Sequence, residues 1–186
     1  WIMKYNGIDF EAIMATPACG KSYLCDKYPD LFVDADELRL KLKYKVPEQL
    51  TRDQLESTKG ERTFQRQYHG NELDKKIFEQ LDKCREEGKT IIASPHTIFQ
   101  DYFVSRNIKY CFVYPNKTMQ EEIARRMVIR GNPESTVKEN YENFYEFYAS
   151  DTKESSSALH YEFGQDEFLE DILKKFGFDF SKKPLS

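Results

Sequence analysis

The sequence predicts an α/β fold built on a mostly parallel sheet, and three observations predict it. Short apolar runs alternate along the chain with segments of helical periodicity, the pattern of successive βα units. The first of these runs leads directly into Ala15-Thr16-Pro17-Ala18-Cys19-Gly20-Lys21-Ser22. That stretch matches the phosphate-loop pattern Gly-x-x-x-x-Gly-Lys-Ser/Thr at every fixed position but the first, where Ala15 stands for Gly. An acidic pair, Asp34 and Asp36, follows the next apolar run, where a second parallel strand would end.

Taken in order, strands are expected at residues 10–15, 31–33, 90–93, 110–114 and 158–163. Gly88 is placed to close the helix before the third strand, and Pro115 to close the fourth. Residues 74–87 carry Ile77, Leu81 and Cys84 at helical spacing, so one face should pack on the sheet. A helix beginning near Lys117 should run to Arg130, and residues 167–176 read as a closing amphipathic helix through Leu169, Ile172 and Leu173. The charged segment 37–88 contains no expected strand and carries Arg39, Arg52, Arg62, Arg66, Tyr68 and His69. Long insertions between sheet strands are uncommon without a function, so a helical acceptor-binding flap and a merely solvated helical pair both stay open. Residues 150–157 form a polar, serine-rich loop.

A length of 186 residues suits one domain over 1–186. A hydrophobic fraction of 39% with 32% charged residues excludes a disordered chain. A net charge of −4 gives no global field toward nucleic acid, although a local basic groove is compatible with it. Cys19, Cys25, Cys84 and Cys111 lack metal-type spacing, and the placing of Cys19 within the loop and Cys111 in an apolar run suits a reducing compartment. No run reaches membrane-spanning length and no signal-peptide pattern is present, so the expectation is a cytoplasmic protein with no membrane partner.

Three constellations carry chemistry. In the loop, backbone N–H groups of Thr16, Ala18, Cys19 and Gly20, with Pro17 shaping the turn, would cradle phosphates at a helix N-terminus; Lys21 would reach the outer phosphates and Ser22 would ligate Mg²⁺. On an extended backbone Asp34 and Asp36 would point the same way, one toward the metal and one as a base for an attacking hydroxyl, with helix capping as the alternative for Asp36. Arg126 and Arg130, four apart beside Arg125, would form one basic helical face within a lid at 125–135, with a solvated helix end as the alternative. His96 has no assigned role, and His69 and His160 read as surface residues. Tyr141, Phe144, Tyr145, Phe147 and Tyr148 are expected to pack rather than to stack bases.

A phosphate loop, then Asp-x-Asp-x-x-Arg, then Arg-x-x-x-Arg-Gly before a final helix, resembles the P-loop kinase superfamily of nucleoside, nucleotide and polynucleotide kinases over most of the chain. The resemblance implies a three-layer sandwich with a five-stranded parallel sheet in the order 2-3-1-4-5, ATP and Mg²⁺ as cofactors, and a nucleoside triphosphate as partner. Asp36 and Arg39 are similar to the Asp-x-x-Arg of phage-type polynucleotide 5′-kinases and zeta-toxin kinases, which implies a base and an acceptor-holding arginine. Asp34 and Asp36 resemble the acidic pair of shikimate kinases. Arg126 and Arg130 resemble lid arginines, and base contacts would fall near Gly164 and Gln165. Three functions remain open: a kinase acting on a nucleoside, nucleotide or related metabolite; a nucleic-acid kinase; and a non-catalytic nucleotide-binding module.

Overall fold

The chain enters through a hairpin that reading for long apolar runs overlooks. In the computed structural model, which describes residues 2–47, 50, 54, 64–147 and 156–182, Met3–Tyr5 (β1) pairs antiparallel with Ile8–Phe10 (β2). Asn6 and Gly7 make the turn at φ 49° and 76°. Asn-Gly is the dipeptide whose turn twist suits such a ribbon. The expected strand at 10–15 is therefore corrected. Phe10 ends the hairpin, the Glu11 N–H donates to Lys109 O at 2.8 Å, and the first parallel strand is Ala12–Ala15 (β3).

The remaining elements are Lys21–Lys27 (α1), Phe32–Asp34 (β4), Ala35–Lys43 (α2), Gly70–Glu86 (α3), Thr90–Ala93 (β5), Thr97–Ser105 (α4) and Tyr110–Pro115 (β6). A 3₁₀ turn, Lys117–Met119, then precedes Gln120–Ile129 (α5), Glu134–Glu142 (α6), Phe144–Phe147 (α7), Leu159–Phe163 (β7) and Leu169–Lys175 (α8). The five parallel strands lie in the order β4-β5-β3-β6-β7. With the hairpin counted, the labels differ from the expected 2-3-1-4-5; numbered alone, the parallel strands follow that sequence.

Both faces of the sheet are covered. Ile13, Ile92, Cys111 and Val113 pack on one face with Leu24 of α1, Ile123 and Met127 of α5, and Ile172 and Leu173 of α8. Met14, Ile91, Ala93 and Phe112 pack on the other with Leu73, Ile77 and Leu81 of α3 and Phe99, Tyr102 and Phe103 of α4. Alternate residues of one strand feed opposite cores, which explains why the central strands β3, β5 and β6 read as unbroken apolar runs. Helix α3 starts earlier than the expected 74, and its i, i+4, i+8 row of Leu73, Ile77 and Leu81 holds it on the sheet. The middle of the 37–88 insertion, with Arg52 and Arg62, lies outside the described residues. Its two ends meet where Tyr44 bridges Arg66 antiparallel. No described helix is long and apolar enough to cross a membrane.

A parallel sheet brings the C-terminal ends of all its strands to one edge. Here that edge collects the phosphate loop after β3, Asp34 at the end of β4, Ser94 after β5, Asn116 after β6 and Gly164 after β7.

Candidate phosphate and acceptor site

The loop between β3 and α1 is folded by its own carbonyls. Lys21, only 9% exposed, donates from Nζ to Ala15 O at 2.9 Å and to Thr16 O at 3.1 Å. The Leu169 N–H donates to Cys19 O at 2.8 Å, and Arg126 Nη1 to Ala18 O at 3.2 Å. With the carbonyls of Ala15, Thr16, Ala18 and Cys19 taken by these partners, the loop leads into the first turn of α1, whose N–H groups a helix start cannot satisfy internally. Gly20 sits at φ 98°, a conformation that penalises any side chain. Ala18 sits at φ 62°, and the left-handed region costs a residue with a Cβ about 1–2 kcal/mol. A charge-assisted hydrogen bond such as that from Arg126, worth about 1.5–3 kcal/mol, is sufficient to offset this. Thr16 is fully buried, and its hydroxyl has no protein partner among the described residues.

The acidic pair is placed differently from the extended arrangement expected. Helix α2 begins at Ala35, so Asp34 and Asp36 do not share an extended backbone. Asp34 is the N-cap; its Oδ1 accepts from the N–H groups of Asp36 at 3.0 Å and Glu37 at 3.3 Å. The capping role considered for Asp36 thus belongs to Asp34. Asp36 turns instead toward β5: its Oδ2 accepts from the Ser94 N–H at 3.0 Å, and its Oδ1 from the Ser94 hydroxyl. Ser94, to which the sequence alone assigns no role, therefore fixes both carboxylate oxygens. The signal was its place immediately after a strand on the ligand-binding edge.

Asp36, Arg39 and Lys43 recur at i, i+3 and i+7 along α2, and all three bear on His96, the carboxylate against the two cations. His96 caps α4, with Nδ1 accepting from the Ile98 N–H at 3.2 Å. That bond needs an unprotonated Nδ1, so it selects the neutral tautomer with hydrogen on Nε2. Its pKa lies below the ordinary 6.5, first because burial disfavours the imidazolium and then because Arg39 and Lys43 repel it, with Asp36 and Asp74 opposing.

The two arginines expected in a lid separate. Arg126, 7% exposed, is not a mobile surface side chain. Its Nε donates to Glu122 at 2.9 Å, its Nη2 to Gln165 O at 2.8 Å, and both Nη atoms reach Glu167 O at 3.4 Å. Its guanidinium carbon lies 4.1 Å from the Phe168 ring centroid. Arg130 stands at the C-terminus of α5, with Nε on Asn132 Oδ1 at 2.9 Å. Arg125 forks onto Glu122 with two bonds of 2.7 Å. These partners, Arg125 first and then Arg126, hold the Glu122 carboxyl down at about 2. The loop after β7 is braced by Glu167, which accepts from the Tyr161 hydroxyl and Lys175 at 2.7 Å each and from the Gly164 N–H at 3.2 Å. Beside Gln165 lies a cavity of about 210 Å³, lined by Thr118, Met119, Glu121, Glu122 and Arg125. In the aromatic cluster Phe144 is buried in the core and Tyr145 is exposed, whereas the Phe147 side chain and Tyr148 lie outside the described residues.

Ser22 in the first turn of α1 and Asp34 at the end of β4 both carry oxygen ligand atoms. This is the chemistry a hard divalent cation prefers. Among the described residues no group of three His, Cys, Asp or Glu side chains is placed to hold a metal. A Mg²⁺ that keeps several waters and binds phosphate oxygens does not need one.

No family model matches the chain, and no curated protein matches it. Among solved structures, a tunicamycin resistance protein of Deinococcus radiodurans superposes with a TM-score of 0.49 at 10% identity, over 94% of this chain and 96% of that one. A gluconokinase from Sinorhizobium meliloti 1021 gives a TM-score of 0.45 at 12% identity, covering 89% of each chain. An uncharacterized protein from Eubacterium ventriosum gives 0.40 at 12% identity, over 88% of this chain and 94% of that one. The function of this chain therefore has to be read from its own residues.

Proposed function

We propose that the protein is an ATP-dependent phosphotransferase that moves the γ-phosphate of Mg-ATP to a hydroxyl of a nucleoside, nucleotide or related small-molecule acceptor. One observation carries the reading: the loop with its lysine follows β3, and the Asp36 carboxylate, which follows β4, is held by Ser94 after β5, the strand beside β3, on the same sheet edge. Lys21 is stored on loop carbonyls and would transfer its donors to phosphate oxygens on nucleotide binding. Asp36 would accept the proton of the attacking hydroxyl. A phosphate acceptor is already ionised and needs no base, so a carboxylate at this position favours a hydroxyl. Arg39 would hold the acceptor, and Arg130 would neutralise charge developing during transfer. Ser22 and Asp34 would hold Mg²⁺, which when bound supplies charge neutralisation at the phosphates. The nucleotide base would lie by Gly164 and Gln165, next to the cavity described above.

A second reading, a kinase of nucleic acid, is favoured by the cationic residues that follow Asp36 along α2, since Arg39 and Lys43 suit a phosphate-bearing acceptor. The test is transfer of labelled γ-phosphate from Mg-ATP to nucleosides, nucleoside monophosphates, sugars, and DNA oligonucleotides with a 5′-hydroxyl or a hydroxymethylated base. Label on mononucleosides or mononucleotides supports the first reading. Label on oligonucleotides alone, with a steep salt dependence, supports the second. Mg-ATP binding without any transfer leaves a nucleotide-binding module.

A further inference from the structure

Ala18 adopts a backbone conformation that few non-glycine residues adopt, and a buried guanidinium donates to its carbonyl. Among the described residues only Asn6, Ala18 and Asn107 are non-glycine residues at positive φ. Asn is the residue best suited to that region after Gly, and alanine has no polar side chain with which to stabilise it. The left-handed turn at Ala18 must be imposed from outside. Three contacts impose it, all from the α5 and post-β7 side. Arg126 Nη1 donates to Ala18 O, and the Leu169 N–H donates to Cys19 O. The Phe168 ring lies against Gly20, where an added Cβ would stand 3.5 Å from Cδ1. The same ring covers one face of the Arg126 guanidinium.

We propose that Arg126 is a positioning residue that acts through Ala18, keeping the phosphate loop in its receiving form; this rests on the nucleotide reading above. A guanidinium has five N–H groups. Here Nε and both Nη atoms are committed to Glu122, Ala18, Gln165 and Glu167. What Arg126 aims at the loop is a donor for a carbonyl. The planar fork reaches several acceptors at once, which an ammonium on a flexible stem does not. The lid role expected for Arg126 is thereby divided: Arg126 holds the loop from behind, and neutralisation of the transferring phosphate falls to Arg130.

The test uses the wild type, Arg126→Lys, Ala18→Gly and the double variant. Three quantities are read: Mg-ATP affinity by calorimetry, Tm, and amide exchange at Cys19 and Gly20 in the ligand-free protein. Arg126→Lys keeps the charge and loses the fork. It should weaken Mg-ATP binding about tenfold and speed exchange at both amides by a similar factor, the scale of one charge-assisted hydrogen bond. Ala18→Gly removes the conformational penalty. The double variant should therefore regain most of the affinity without regaining the Tm lost in Arg126→Lys. Unchanged affinity and exchange in Arg126→Lys would overturn the proposal. So would a double variant that binds as weakly as Arg126→Lys, since Arg126 would then act on the nucleotide directly. If Arg126→Lys does not fold, Phe168→Ala at its exposed position takes its place; it should speed exchange at Gly20, and unchanged exchange overturns the proposal. A wild type that binds no Mg-ATP would remove the nucleotide reading, while the exchange comparison still decides the role of Arg126.

Discussion

Replacing Asp36 with Asn separates chemistry from scaffold, because the structure shows what the amide would keep. Among the described residues Asp36 accepts two hydrogen bonds, both from Ser94: one from the N–H at 3.0 Å and one from the hydroxyl. In Asp36→Asn the amide oxygen still accepts from the Ser94 N–H. The amide NH₂ then faces the Ser94 hydroxyl, which can rotate and accept. One bond is kept and one is reversed, so stability should change by less than about 1 kcal/mol, the worth of one neutral hydrogen bond. Mg-ATP binding should persist, because the loop proposed to hold the nucleotide has its own partners. The function proposed for Asp36, and lost in the variant, is proton acceptance, worth typically about 10²–10⁴ in rate, or roughly 3–5.5 kcal/mol of barrier. The assay is labelled phosphate transfer at saturating acceptor, with Tm and nucleotide affinity measured on the same preparation. A variant with normal kcat would refute the base assignment. A variant that loses kcat together with nucleotide affinity and more than 5 °C of Tm would show instead that the Asp36–Ser94 link is structural.

Four further outcomes are expected. Lys21→Ala should abolish transfer and lower stability by about 1–3 kcal/mol, because it leaves the Ala15 and Thr16 carbonyls without their donor; urea unfolding and the transfer assay read the two effects. Gly20→Ala should cost about 1–2 kcal/mol through φ 98° alone, since a Cβ there meets only ordinary contacts; an unfolding midpoint equal to wild type would contradict this. His96 should titrate below 6.5 in an NMR pH series and rise toward it in Arg39→Ala. As its folded value is depressed, its neutral form favours the fold above 6.5, and that contribution is lost as pH falls. Glu122 has a folded value of about 2 against an ordinary 4.5, so its contribution is complete above 4.5 and lost as pH falls toward 2; Glu122→Gln should flatten the acid limb of Tm against pH in that window.

Local information in the sequence determined the repeating βα order, the apolar central strands, the loop pattern at residues 15–22 and the helix row of Ile77 and Leu81. Each of these depends on residues a few positions apart, where spacing maps directly onto a helix face or a strand face. Asn6-Gly7 belonged to the same kind of signal, and attention to longer apolar runs concealed it. Tertiary structure alone decided the partnerships across the sheet edge. Nothing near Asp36 in the chain points to Ser94, and nothing near Arg126 points to Ala18, 108 positions away. The same spacing that marks Arg126 and Arg130 as one basic face is compatible with a mobile lid or a buried clamp. The difference lies in the aromatic ring and carbonyls that the loop after β7 brings to Arg126, and long-range packing sets that encounter. Residue type and spacing therefore determined which chemistry is proposed for the chain. Which side chain is free to use it followed from the donors and acceptors that folding had already paired.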